Sequence, residues 1–256
     1  MTTAATEAAA AYLAAARRGG RTGPGIPEAC RPADLDSALA IQRRVMALLG
    51  GTVGGWKCSV PTEARPVLCA PIYAATVVAA PGRPSVVAGD LVKIEPEIAL
   101  VIGSDLPPRA QPYSEAEVRS AVREARLVLE LIGSRYADPT RVSFPELLAD
   151  SVANQGLYVG PVVEGALDRP LDRLAIRVSS PSETLFTREG SHPDGHPLRP
   201  LVWLANFLAA RGEALRAGQI VTTGSYCGML DVPVGVPLTV QAGDLPTLSV
   251  TLERAQ

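Results

Sequence analysis

The sequence predicts an α+β fold, with a helical N-terminal region and a mixed or antiparallel sheet assembly behind it. Three observations carry this. Strong helix formers dominate the first part of the chain, up to about residue 60. From about residue 67 the texture changes to short Val/Ile/Leu runs broken by Pro and Gly. The strand-like and helix-like segments do not alternate regularly, which disfavours a Rossmann or TIM-barrel arrangement. At 256 residues, 47% apolar and 20% charged, the chain has ordinary globular composition and is long enough to bury a large core. We divide it into a helical region, residues 1–60, and a sheet domain, residues 61–256.

Each element has a local reason. Residues 4–18 are Ala-rich, and Gly19 and Gly20 stop the helix. A Pro/Gly loop runs to Pro32. In "ADLDSALAIQRRVMALLGG", Asp34 or Asp36 caps a helix with apolar residues at Leu35, Leu39, Ile41, Val45 and Leu48, and Gly50 and Gly51 end it. "PSVVAGD" turns into a long strand, "LVKIEPEIALVIG". "SEAEVRSAVREAR" opens on the capping pair Ser114 and Glu117, which predicts a helix. "LVLELIGSRY" reads as a buried strand. "GLYVGPVV", "LAIRVSS", "IVTTGS", "VPLTVQAG" and "TLSVTLE" are further strands, with one helix, "PLRPLVWLANFLAARGEAL", set among them and ending near Gly212.

Charge and cysteine usage narrow the function classes. A net charge of −2 leaves no electrostatic footprint for nucleic acid or an anionic membrane. Cys30, Cys58, Cys69 and Cys227 form no CxxC pair, so neither a zinc knuckle nor a redox dithiol is expected. The run "TEAAAAYLAAARR" has its basic residues after the apolar part, the wrong order for an export signal. No apolar stretch approaches bilayer-spanning length. The expectation is a cytoplasmic protein with reduced thiols.

The strand at residues 93–103, "KIEPEIALVIG", places two acids in hydrophobic sheet. With a period of two, Val92, Ile94, Ile98, Leu100 and Ile102 face one way, and Lys93, Glu95, Glu97, Ala99 and Val101 the other. Glu95 and Glu97 then share a face, roughly 6 to 7 Å apart at Cβ. Converging carboxylates repel unless a proton or cation lies between them. Pro96 cannot donate to a ladder and hints at a bulge or an edge. Glu130 stands within "LVLEL", where an unpaired carboxylate would be costly. Two readings stand side by side: a solvated charged face with Glu130 paired to Arg126 or Arg135, and a three-carboxylate oxygen site. The latter suits Mg²⁺ or Mn²⁺ better than zinc.

Several segments occur together in a telling order: "GWKCSV" (55–60), "EPEIALVIG" (95–103), "LELIGSRY" (129–136) and "DGHPLRPLVWLANFLAARGEALRAGQIVTTGS" (194–225). Over roughly residues 35–252 the chain resembles the 2-keto-4-pentenoate hydratase and 2-oxo-3-enedioate decarboxylase group of the fumarylacetoacetate hydrolase superfamily. The resemblance implies a large mixed β-roll behind the helical region, like the fumarylacetoacetase C-terminal domain, and a homo-oligomer. It implies Mg²⁺ (or Mn²⁺) on Glu95, Glu97 and Glu130, with Lys57 as the catalytic lysine beside the substrate carboxylate and enol oxygen. Thr223, Gly224 and Ser225 would offer groups to that carboxylate. The implied reaction is hydration of a 2-hydroxypenta-2,4-dienoate-like acid to a 4-hydroxy-2-oxo acid. Lys57 would stabilise the enolate or shuttle a proton if burial near the cation lowers its pKa. Alternatives are a 2-oxo-3-enedioate decarboxylase, an acylpyruvate C–C hydrolase and a catalytically silent binding protein.

Other residues with chemical side chains read as structural. His192 and His196 sit among Pro193, Gly195 and Pro197, which rule out a helical metal pair. Asp150 and Asn154 read as turn or capping residues near the implied site. Cys58 reads as a small packed hydrophobe, and Arg135 as a partner for the Glu130 strand. The stretch "EARPVLCAP" lacks the aspartate usual in the group, and "DSVANQGLYVG" lacks its serine pair, so the substrate tail is less constrained than the head.

Overall fold

The structure, a computed structural model, describes residues 1–20 and 22–255. The chain opens with helices α1 (Thr3–Gly19) and α2 (Leu35–Leu48), followed by strands β1 (Val53–Ser59), β2 (Leu68–Tyr73), β3 (Val77–Ala79) and β4 (Ser85–Val86). Next come β5 (Leu91–Ile102), α3 (Glu115–Ser120), β6 (Val122–Ile132), α4 (Phe144–Ala149) and β7 (Asn154–Val162). The remainder is β8 (Arg173–Ser179), β9 (Thr184–Ser191), α5 (Leu198–Ala210), β10 (Ile220–Thr222) and β11 (Leu230–Pro233). It closes with β12 (Pro237–Ala242), β13 (Leu248–Thr251) and β14 (Glu253–Arg254).

The helical front forms where expected. Thr2 caps α1, and Gly20, in the left-handed region at φ 57°, ends it. Of the two candidate caps for α2, Asp34 serves: its carboxylate accepts from the Ser37 N–H at 2.8 Å. Helices α1, α2 and α4 bury Ala9, Leu13, Ile41, Val45 and Leu148 together, with Tyr73 and Tyr136 against them.

Behind them lies a mixed eight-stranded sheet ordered β2-β1-β10-β5-β6-β7-β3, with β11 also pairing β5. The β1–β10 and β3–β7 pairs are parallel, and the other pairs of this sheet are antiparallel. β1 belongs to this sheet although its residues fall within 1–60. A second sheet, β13-β12-β8-β9, and helix α5 cover one face of the first. That face buries Ile94, Ile98, Leu100, Leu127 and Leu129 against Val178, Val240, Leu201 and Leu204. The opposite face carries Glu95 and Glu97.

Two local expectations are corrected. The helix opened by Ser114 stops at Ser120, and "VREAR" joins β6. Tertiary pairing overrides helix propensity there, because β6 runs alongside β5 from Lys93↔Ile132 to Ile102↔Val122 and buries Ala125, Leu127, Leu129 and Leu131. Pro96 causes no bulge: its register with Leu129 is regular, and the β5 irregularity lies at Val101/Ile102. Pro96 is tolerated because β10 pairs β5 only up to Thr222↔Ala99 and β11 resumes at Leu230↔Ile94. The Pro96 carbonyl turns toward this gap, accepting from the Ser225 hydroxyl at 3.4 Å, so the missing N–H falls where no strand needs it.

Candidate active site

Five adjacent strands deliver the site: β1, β10, β5, β6 and β7. Glu95 pairs directly with Glu130 across the antiparallel β5–β6 ladder, so both point to one face, and Glu97 follows two residues along β5. Like charges directly opposite one another repel. Here one carboxylate oxygen from each of Glu95, Glu97 and Glu130 lies within 4.8 Å of the others. Glu97 is 3% exposed, Glu130 is fully buried, and Glu95 is half-buried at the cleft side.

Each acid has its own partners. Lys57 on β1 stands beside Thr222 of β10 in the parallel register, and its Nζ reaches the Glu130 Oε1 at 2.6 Å. Gly55 makes this close approach possible, since a Cβ there would run into the Ile220 carbonyl. The same Glu130 oxygen accepts from Asn154 Nδ2 at 2.9 Å, whereas Glu130 Oε2 is buried with no hydrogen-bond partner among the described residues. Glu97 Oε2 accepts from the backbone N–H groups of Thr223 (2.9 Å) and Gly224 (2.8 Å). Those two donors are therefore directed at a carboxylate of the protein, and the Ser225 hydroxyl at the Pro96 and Gly228 carbonyls.

The electrostatics follow. Burial first, then the neighbouring Glu130, pushes Glu95 up to about 7, with Lys57 opposing. Glu97 is raised well above the carboxylate range by burial, Glu130 and Glu95. For Lys57, burial pulls downward, but Glu130, Glu95 and Glu97 outweigh it and the net direction is up. With no cation among them, the three facing carboxylates stabilise the ammonium more than desolvation penalises it.

Lys57 is 7% exposed and is no surface lysine. Its Nζ also donates to the Val152 carbonyl at 3.2 Å. Val152 is the centre of an unusual turn in which Ser151, Val152 and Ala153 have φ of 56°, 49° and 59°, a left-handed run without glycine. Asp150 precedes the turn and Asn154 follows it, and the turn aims Asn154 at Glu130. Arg135 pairs with Asp150, not with Glu130. Arg126 pairs with Glu124.

His192 is buried behind Thr223. The Asp194 N–H donates to its Nδ1 at 3.1 Å, so Nε2 carries the proton of the neutral ring and donates to Thr223 Oγ1 at 3.3 Å. Thr223 Oγ1 in turn donates to the Ile98 carbonyl at 2.9 Å. Burial lowers the His192 pKa to about 4, which keeps it neutral. His196 Nδ1 accepts from the Leu198 N–H at 3.1 Å, just ahead of Pro197, the first residue of the turn into α5. The buried Cys58 thiol, pushed far up by burial, is no nucleophile.

These features define a class: an α+β protein whose central mixed sheet gathers three acids and a lysine at the base of a cleft of about 1400 Å³. The model of the fumarylacetoacetate (FAA) hydrolase C-terminal family matches residues 58–254, and the chain belongs to that family. It is 31% identical to 2-keto-4-pentenoate hydratase 1 of Dechloromonas aromatica (strain RCB), over 95% of each chain. It is 28% identical to a 4-oxalocrotonate decarboxylase of a Pseudomonas species, over 61% of this chain and 59% of that one. In fold it is similar to the 4-oxalocrotonate decarboxylase from Pseudomonas putida G7 complexed with magnesium and adipate, with TM-score 0.78, 21% identity and 98% of each chain covered.

Proposed function

We propose that the chain is a divalent-metal-dependent hydro-lyase acting on 2-hydroxypenta-2,4-dienoate-like acids, with Mg²⁺ on Glu95, Glu97 and Glu130. The observation that carries this is the convergence of three carboxylates, one orphan Glu130 oxygen and a single lysine in a buried site. With all three acids ionised, Lys57 leaves two negative charges uncompensated, and an all-oxygen donor set matches a hard divalent cation. Such an ion supplies Lewis-acid polarisation to the carboxylate and C2 oxygen of a 2-oxo acid.

The chain's own groups supply the rest. Asn154 and Lys57 hold the Glu130 carboxylate, while the Thr223 and Gly224 N–H groups hold Glu97, so the acids are preorganised. Lys57, held against Glu130, stabilises negative charge developing on the C2 oxygen. Hydration needs a proton delivered at C5 of the dienol and water added at C4 of the resulting enone. Thr223 acts here chiefly by fixing Glu97, and substrate contact from this loop falls to Gly224 and Ser225, both at the cleft wall. The protein is further proposed to work as a cytoplasmic homo-oligomer. The exposed Leu91 and Met229 at the cleft rim offer apolar surface for a second copy.

The experiment is to mix the protein with 2-hydroxypenta-2,4-dienoate and Mg²⁺ and follow the dienol absorbance, with and without EDTA. Metal-dependent loss without CO₂ supports hydration; no metal-dependent turnover rejects it. A second reading, decarboxylation of a 2-oxo-3-enedioate, is favoured by the similarity to 4-oxalocrotonate decarboxylases. It predicts CO₂ release from the enedioate instead.

A further inference from the structure

The cleft holds a second charged cluster that the three acids do not use. Arg17, in the last turn of α1, has a side chain only 11% exposed, and its guanidinium carbon lies 4.8 Å from the Tyr73 ring centroid. Its Nη1 donates to the Asn154 carbonyl at 3.3 Å and its Nη2 to the Asp150 carbonyl at 3.1 Å. Carbonyls satisfy donors without neutralising charge. The one carboxylate within ion-pair reach of Arg17 among the described residues is Asp150, at 3.8 Å. That carboxylate is already held by the Nε and the backbone N–H of Arg135. Two buried guanidinium groups thus share a single acid, and one positive charge is left over. Burial and the neighbouring Arg135 together lower the Arg17 pKa to about 10, the direction expected of an under-compensated cation.

Beside Arg17, the buried Tyr73 hydroxyl has no hydrogen-bond partner among the described residues. Arg17 and Tyr73 line the same cleft as Lys57, Glu95, Glu97 and Glu130. An excess buried cation next to an orphan hydroxyl is an environment that an anion would complete.

We propose that Arg17 and Tyr73 form an anion subsite for a second carboxylate, so that the substrate is a 2-oxo or 2-hydroxydienoic dicarboxylic acid. This rests on one part of the reading above, that the head of a 2-oxo acid lies at the three glutamates; for the far end it replaces the uncharged terminus of 2-hydroxypenta-2,4-dienoate with a carboxylate, as in an enedioate. The spacing suits it. Asn154 bridges the two clusters, and Arg17 Nη1 lies at most roughly 11 Å from Glu130 Oε1 if one asparagine's polar atoms are no more than about 5 Å apart. A chain of about six carbons, with coordination bonds at one end and a hydrogen bond at the other, covers that reach. Tyr73 and Arg17 would then set chain length and terminal charge, the features left open by the missing aspartate in "EARPVLCAP".

The test is calorimetric binding of 2-oxoadipate and of 2-oxohexanoate to the Mg²⁺-loaded protein, a pair differing only in the terminal group. The wild type is expected to prefer 2-oxoadipate by about tenfold or more, the scale of one charge-assisted hydrogen bond. Arg17→Gln should bring the two affinities within about twofold by weakening 2-oxoadipate, and Tyr73→Phe should narrow the ratio in the same direction. Tyr73→Phe leaves the Arg17 hydrogen bonds intact and keeps the test available if Arg17→Gln does not fold. The subsite is overturned if the wild type shows no preference, or if Arg17→Gln weakens both ligands in parallel, since Arg17 would then only brace the 151–153 turn. Binding of neither ligand would overturn the 2-oxo acid reading itself, and the subsite with it. Equal, Mg²⁺-dependent binding of both would remove the subsite alone.

Discussion

Glu130 concentrates the argument at the scale of single residues. It is fully buried, with one oxygen held by Lys57 and Asn154 and the other left without a partner. Glu95→Gln and Glu130→Gln are each expected to abolish stoichiometric Mg²⁺ binding, read by metal analysis or calorimetry, because two carboxylates do not compensate dehydration of the ion. Lys57→Met should behave oppositely, retaining the metal while turnover falls about 10²-fold or more. Equal loss of metal in Lys57→Met and Glu130→Gln would sink this division of roles. His192 gives a pH signature. Its folded pKa of about 4 lies below the ordinary 6.5, so the unfolded chain takes up a proton first as pH falls. Its stabilising contribution is complete above about pH 6.5 and is lost on descending toward pH 4. Denaturant titrations at pH 7 and pH 5 should therefore show the wild type losing about 1–2 kcal/mol more than His192→Gln, after a discount for partial exposure. Parallel losses would contradict a neutral, buried imidazole.

At the scale of elements, the sheet register and one turn position everything. Glycine at position 55 lets β1 lie against β10, which places Lys57 level with Thr222. Gly55→Ala is expected to cost several kcal/mol and, in any protein that folds, to displace Lys57 and reduce turnover. A melting temperature unchanged from wild type would refute that close packing. The turn after α4 is different, because it holds three non-glycine residues at positive φ. Ala153→Gly removes left-handed strain of about 1 kcal/mol and adds unfolded-state entropy of similar size, so the stability change should be near zero or favourable. Ala205→Gly in the regular helix α5 should instead cost about 1 kcal/mol. A thermal melt of the two variants separates these cases.

For the whole molecule, ion binding and stability are linked. If Mg²⁺ binds only the folded chain, saturation about 100-fold above its dissociation constant adds about 2.7 kcal/mol. That corresponds to a rise in melting temperature of several degrees for a chain of this size, absent in Glu130→Gln. Differential scanning fluorimetry across a Mg²⁺ series checks it, and a shift that persists in Glu130→Gln would place the ion elsewhere.

Much of this was visible along the chain. The caps of α1 and α2, the two-residue period that puts Glu95 and Glu97 on one face, and the oddity of Glu130 in an apolar run are all written over a few neighbouring residues. Local sterics and burial act over that range, so such features can be read in order. Lys57 was legible only through resemblance, since nothing near it states that β1 will lie parallel to β10, more than 160 residues later. The Glu95↔Glu130 register, the early end of α3, the left-handed turn that aims Asn154, and the arrival of Arg17 beside Tyr73 all depend on which distant surfaces bury each other. Along the chain Arg17 is simply one of two basic residues in the last turn of α1. Its desolvation, its shared acid and its place in the cleft came into being only when α1 packed against the turn, because charge balance in a protein interior belongs to the assembled neighbourhood and to no single segment.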